Sequence, residues 1–145
     1  MEISRRPATE ADRELARRVH HQAYQEAVER QFGRWVVAEQ DRFFDRGWAD
    51  ARHEIVLCDG EPCGYVCIED RADDIHVREL VILPEFQGRG IGSALLGEAI
   101  ARARGRGVPV RLGTFHHNRA AELYRRLGFQ ETGRTPTHIL MEWRP

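Results

Sequence analysis

A single α/β domain around a mixed sheet is the fold this sequence predicts, and three observations carry the prediction. The chain has 145 residues, 41% of them apolar, which is one domain's length with enough hydrophobic mass for one core. Short apolar or alternating runs give way along it to segments whose apolar residues recur every four positions. Glycines and prolines fall at the changeovers, and no repeat, low-complexity tract or Pro/Gly/Ser-rich linker divides the chain, so one domain is expected over residues 1–145.

Residues 3–7 (ISRRP) read as the first strand. Thr9 ahead of Glu10 and Asp12 suits a helix start, both by capping and by the helix dipole. Leu15, Val19, Ala23 and Ala27 then make one apolar face, so a helix is expected over 10–31. Gly33 interrupts it, and a second helix is expected from Val36 to Arg46. Runs 53–59 and 63–69 flank Asp59-Gly60-Glu61-Pro62, a hairpin signal, and residues 74–83 add a third strand that Pro84 stops. After EFQGRGIG a helix runs through Arg104, with Ile91, Leu95, Ala99 and Ala103 on one face and Gly105 and Gly107 at its end. Strand 108–115, a short helix over 118–127 closed by Gly128, and two strands near 129–133 and 137–143 complete the order.

No stretch approaches the roughly 18 consecutive apolar residues of a membrane span. The start MEISRRPATE has neither the apolar region nor the cleavage site of a secretory signal, so a cytoplasmic protein without membrane attachment is expected. Three cysteines are an odd number for a disulfide framework, and Cys63 and Cys67 lack the second pair of a zinc site. With Cys58 they read as small apolar strand residues; His116-His117 has no acid or cysteine at metal spacing, and no metal is expected. A net charge of −1 argues against holding nucleic acid by bulk positive charge, while leaving room for a local anion site. All 22 basic residues are arginine, which GC-rich codon usage explains most simply.

Gln87-Gly88-Arg89-Gly90-Ile91-Gly92 lies between a strand and an amphipathic helix. Glycines let backbone approach a ligand closely, and the first N–H groups of a helix, reinforced by its dipole, point at whatever sits there. A pyrophosphate suits that arrangement, with Arg89 adding one charge; a plain turn is the bland alternative. A P-loop needs a lysine, which this chain lacks, and a dinucleotide fingerprint needs a glycine three positions after Gly90, where the chain instead has Gly92 two positions on.

Together with the preceding Leu80-Val81-Ile82-Leu83-Pro84-Glu85-Phe86, this segment resembles motif A of the GNAT superfamily of N-acetyltransferases, Q/R-x-x-G-x-G/A. The run from Asn118 to Phe129 (NRAAELYRRLGF) is similar to motif B, N-x-x-A-x-x-L-Y-x-x-x-G-F, with one residue fewer between Ala121 and Leu123, and the resemblance covers roughly residues 53 to 143. It implies a GNAT-like mixed, mostly antiparallel central sheet with splayed central strands and flanking helices. It also implies acetyl-CoA, or at least an acyl-CoA, as cofactor, with CoA as product. The backbone N–H groups of Gln87, Gly88, Arg89, Gly90, Ile91, Gly92 and Ser93 would hold the pyrophosphate. Main-chain groups of Leu80, Val81 and Ile82 would pair with pantetheine as a peptide strand pairs with a sheet edge, provided strand 74–83 splays from strand 108–115. Asn118, the only asparagine, reads equally as an N-cap and as the family residue that reaches the pantetheine arm. Tyr124 matches the family's general acid, which protonates the departing thiolate.

The base has two candidates. Glu79 shares strand parity with the apolar Ile75, Val77, Val81 and Leu83; a carboxylate there is either partnered or raised in pKa. His76 lies on the other parity and, counted back from Gln87, matches the position of a catalytic Glu in some members. Glu79 is preferred, with an ion pair to arginine as its bland reading. His20, His21, Tyr24 and Trp35 lie in the amino-terminal helical region that in this family walls the acceptor site.

The resemblance therefore predicts acetyl transfer to a primary amine, small molecule or peptide, by direct attack in a ternary complex, with the carbonyl oxygen held by strand N–H groups. Two alternatives stand beside it: a non-catalytic acyl-CoA-binding regulatory module on the same fold, and a toxin acetylating aminoacyl-tRNA. The net charge counts against the second, and the Arg-rich stretches 102–106 and 125–126 count for it. The resemblance also allows a homodimer.

Overall fold

The computed structural model describes residues Met1–Pro145. Its elements are β1 (Ile3–Pro7), α1 (Arg13–Phe32), α2 (Val37–Asp50), β2 (Glu54–Cys58), β3 (Glu61–Asp70), β4 (Ile75–Ile82), α3 (Ile91–Arg106), β5 (Val110–Phe115), α4 (Ala120–Arg126), β6 (Gln130–Arg134) and β7 (His138–Trp143). The strands form one seven-stranded mixed sheet in the order β1-β2-β3-β4-β5-β7-β6. The β1–β2, β2–β3, β5–β7 and β6–β7 pairs are antiparallel, and β4–β5 is parallel. No helix is long and apolar enough to cross a membrane.

The chain forms two compact units, Met1–Cys67 with Glu79–Ile91 and Ile68–Arg78 with Gly92–Pro145. In the first, Asp59 and Gly60 both adopt positive φ, as a two-residue hairpin turn of the I′ kind demands, and Cys58 pairs with Glu61 across it. Pro62 follows opposite Leu57, and the register slips between Val56 and Leu57 there, because proline offers no N–H to the ladder. Ala16 and Val19 of α1, Phe44 of α2, Ile55, Tyr65 and Val81 of the sheet, and Leu83 just after β4 form the core of this unit. Cys58, Cys63 and Cys67 are buried and form no disulfide, and burial pushes the Cys63 thiol up to about 11.

Helix boundaries differ from expectation: α3 runs through Gly105 to Arg106, α4 is shorter at Ala120–Arg126, and the start of α1 and the end of α2 move for identifiable reasons. Residues 10–12 are a 3-10 turn rather than the first α-turn, since the Asp12 carboxylate is held by the Arg6 guanidinium (2.8 and 2.9 Å) and the Thr9 N–H (2.8 Å). Helix α2 runs four residues past Arg46, through Gly47, because Trp48 stacks on Phe44 at 5.6 Å and on His53 at 5.0 Å. A stacked aromatic pair outweighs the roughly 1 kcal/mol helix penalty of one glycine. Gly33 ends α1 at φ 78°, its N–H donating to the Glu29 carbonyl.

In the second unit, α3 buries Leu95, Leu96, Ala99, Ile100 and Ala103, while β5 and β7 pair over six residues from Val110–Trp143 to Phe115–His138. Asp74, 3% exposed, accepts two bonds from Arg71 (2.7 and 2.8 Å) and one from Arg111 (3.1 Å), which also binds Glu142 at 2.7 Å.

These contacts set an acid dependence. The Arg71 and Arg111 bonds hold the Asp74 carboxyl down at about 2, and the Arg6 bond does the same for Asp12. Each folded-state value lies below the unfolded one, so the stabilisation is complete above about pH 4 and is lost as pH falls toward 2. The melting temperature is expected to drop across that window. Asp74→Asn should be destabilised at neutral pH and show a shallower acid limb, read by circular dichroism melts.

Candidate active site

Pro84 stops β4 and starts a single 3-10 turn, Pro84–Phe86. The Phe86 and Gln87 N–H groups close that turn on the Leu83 and Pro84 carbonyls at 2.9 and 3.1 Å. The Gln87 side chain reaches back and donates to the Ile82 carbonyl at 2.9 Å. Of the N–H groups expected to face an anion, Gln87's is thus engaged within the turn, whereas those of Gly88, Arg89 and Gly90 have no main-chain partner. Gly88 and Gly90 sit at φ 75° and 83° with open space where a Cβ would stand, so backbone conformation, not crowding, selects glycine there. Helix α3 then begins at Ile91, with Gly92 and Ser93 in its first turn and no acidic side chain there to neutralise its positive end. The Arg89 guanidinium lies over the Phe86 ring at 5.1 Å.

Burial alternates along β4. Ile75, Val77 and Val81 are buried, Glu79 on their parity is half-buried, and Arg78 is exposed. The Tyr24 hydroxyl of α1 donates to Glu79 Oε2 at 3.2 Å. Tyr65, 2% exposed, has its hydroxyl pKa driven well up by burial and further by the Glu79 charge. His76 has a different neighbour: its Nδ1 is 3.0 Å from Glu69 Oε1, and the imidazole holds the Glu69 carboxyl below the usual carboxylate range. Leu80 and Ile82 are half-buried. β4 pairs with β5 at Ile75–Val110, His76–Arg111 and Val77–Leu112, while β4 runs on to Ile82 and β5 to Phe115.

The amino-terminal helices bring His20, His21, Tyr24 and Trp35 together. His20 packs against Tyr24 (centroids 4.9 Å) and Phe44 (5.7 Å), and Trp35 meets His21 edge-on at 5.3 Å. Asp41 of α2, 2.6 Å from His21 Nε2, completes the group. Sequence reasoning missed Asp41, twenty residues away on another helix; its only signal is its place on α2 three residues before the buried Phe44.

In the second unit Asn118 lies one residue ahead of Arg119, the N-cap of α4, and its Oδ1 accepts the Ala120 N–H at 2.9 Å. Tyr124 is buried at 6% exposure, with its ring 5.8 Å from Phe129.

The β4–β5 ladder thus ends at Val77–Leu112, and a glycine turn whose Gly88, Arg89 and Gly90 N–H groups have no main-chain partner leads into α3. The profile of the acetyltransferase (GNAT) domain matches residues 32–131. An uncharacterized N-acetyltransferase of Methanocaldococcus jannaschii is 34% identical over 106 residues, which is 70% of this chain and 45% of that relative, so the match spans less than half of it. Among solved structures, the paia N-acetyltransferase of Thermoplasma acidophilum in complex with coenzyme A superposes at a TM-score of 0.79 with 18% identity, covering 100% of both chains. An acetyltransferase of Thermus thermophilus does so at 0.75 with 22% identity, covering 100% of this chain and 98% of that one. The chain belongs to the GNAT acetyltransferase family.

Proposed function

We propose that residues 1–145 act as one N-acetyltransferase domain that moves an acetyl group from acetyl-CoA to a primary amine, small molecule or peptide, by direct attack in a ternary complex. The observation that carries this reading is the run of unengaged N–H groups at Gly88, Arg89 and Gly90 ahead of α3, which suits a diphosphate. Those groups, with Ile91, Gly92, Ser93 and the Arg89 guanidinium, bind the diphosphate; Gln87 braces the turn by its bond to Ile82. Main-chain groups of Leu80, Val81 and Ile82 line the pantetheine. Asn118, whose Oδ1 is engaged with Ala120, offers its amide N–H groups to the same arm.

When bound, acetyl-CoA supplies an acetyl carbon activated as a thioester. An acceptor ammonium of pKa near ~10.4 costs about 5 kcal/mol to deprotonate at neutral pH, so a base is needed. Glu79 takes that proton on its carboxylate, oriented by the Tyr24 hydroxyl. His76, engaged with Glu69, is the alternative base. Tyr124 Oη holds the proton destined for the departing sulfur. Much of the rate comes from holding the two reactants in line.

The test is thiol release from acetyl-CoA over a panel of polyamine, amino sugar, amino acid and peptide amines, alongside calorimetry with acetyl-CoA. Tyr124→Phe is expected to lower kcat about tenfold near neutral pH, with the deficit narrowing above pH ~8.5, where a thiolate leaves unaided. An unchanged kcat at every pH removes Tyr124 from the acid role. Binding without thiol release over the whole panel would leave an acyl-CoA-binding module.

A further inference from the structure

A primary ammonium sheds two protons in becoming an amide. One is returned to the sulfur that leaves, and the other has to leave the site, so Glu79 alone does not complete the proton balance. In the same unit as Glu79, three groups form a hydrogen-bonded chain. His21 Nε2 lies 2.6 Å from Asp41 Oδ1, and His21 Nδ1 lies 2.9 Å from His20 Nδ1. An ionised carboxylate only accepts, so His21 Nε2–H donates to Asp41. In the neutral pair His21 Nδ1 is then the acceptor and His20 Nδ1–H the donor, which leaves the His20 lone pair on Nε2. That nitrogen has no hydrogen-bond partner in the protein, although His20 is only 9% exposed. Tyr24, one helical turn further along α1, packs on the His20 ring and donates to Glu79, so His20 stands one aromatic ring from the proposed base.

We propose that Asp41, His21 and His20 form a proton relay ending at His20 Nε2, which takes the second proton from the acceptor amine; this rests on the acetyltransferase reading above. The transfers balance. The amine N–H bond breaks as the His20 Nε2–H bond forms, and the His20 Nδ1–H bond breaks as the His21 Nδ1–H bond forms. The positive charge comes to rest on His21 beside the Asp41 carboxylate. When the products depart, the transfers run backwards and water takes the proton from Nε2, while Glu79 returns its proton to water and Tyr124 regains one from water, so that one proton is released in all.

The arrangement solves a specific electrostatic problem. Burial, with His21 adding to it, lowers the His20 pKa to about 4, so a charge held there is disfavoured at neutral pH. His21 and Asp41 carry it instead, with side chains 19% and 34% exposed. The other ionisable groups packed around the relay are Tyr24 on α1, Glu79 and Tyr65 from the sheet, and the Arg13–Asp45–Arg17 cluster, whose Arg17 lies over Phe44.

Two measurements test the relay. Long-range 1H–15N correlation spectra of the labelled protein are expected to show His20 at neutral pH with its proton on Nδ1 and Nε2 bare. A proton on His20 Nε2 overturns the proposal. Asp41→Asn keeps an acceptor for His21 but removes the charge that stabilises its imidazolium. For the fastest amine of the panel, kcat should fall about tenfold, with KM for the amine and the calorimetric Kd for acetyl-CoA unchanged. A structural role alone would raise KM or weaken acetyl-CoA binding along with the rate. His20→Phe, which keeps a ring against Tyr24 and Phe44, should lower kcat about 100-fold. If amines turn over and the Asp41→Asn kcat matches wild type, the relay alone is overturned; if no amine turns over, the acetyltransferase reading falls first.

Discussion

Replacing Gly64 by alanine is expected to destabilise the protein by roughly 3 kcal/mol, at the upper end of the penalties for overpacking. A Cβ on Gly64 would overlap the Val81 carbonyl oxygen and stand 2.8 Å from Ile82 Cδ1 and 3.1 Å from Ile82 Cα. Two of these three atoms are backbone, so β3 or β4 itself has to move. The φ of Gly64 is not positive, and close approach of strands is the reason for glycine at this position. The displaced segment, Val81–Ile82, is the one proposed to line pantetheine, so acetyl-CoA affinity should fall with stability. Urea denaturation with an unchanged m-value reads the first effect and calorimetry the second. A loss under about 0.5 kcal/mol would contradict this close approach of β3 to β4.

Glu79→Gln is expected to lower kcat by about 10²- to 10⁴-fold at neutral pH while leaving the Kd for acetyl-CoA unchanged. The substitution keeps the shape of the side chain and an oxygen for the Tyr24 hydroxyl, so the packing of Tyr24 and Tyr65 is retained. What disappears is the proton acceptor, and the missing step is the one that costs about 5 kcal/mol in water. The deficit should narrow at high pH, where the amine arrives already deprotonated. Stopped-flow thiol detection across pH reads both. A wild-type rate in Glu79→Gln, with a steep loss in His76→Asn, would move the base to His76 and to its partner Glu69.

Much of the fold was legible because local signals and tertiary packing agree. Strand and helix order followed from periodicity, and the Asp59–Gly60 turn and the Gly33 cap appear where their residue types demand positive φ. Two of the boundaries that differ are set by long-range contacts: Arg6 binding Asp12 trims the start of α1, and Trp48 stacking on Phe44 and His53 carries α2 past Gly47. The glycine turn was legible in position, but not in detail. That Gln87 turns its N–H to Pro84 and its side chain to Ile82 depends on the 3-10 turn Pro84 begins.

The order of elements, the family and the placing of Glu79 on the apolar parity of β4 were determined by the sequence alone, because each depends on residue type at fixed spacing. The neighbours of each site residue were decided only by the tertiary structure. Tyr24 reaching Glu79 across 55 residues, Asp41 meeting His21 across 20, and the β4–β5 ladder ending at Val77–Leu112 all require chain segments that no local periodicity relates. Hydrogen bonds act within about 3 Å, and packing alone decides which distant side chains come that close.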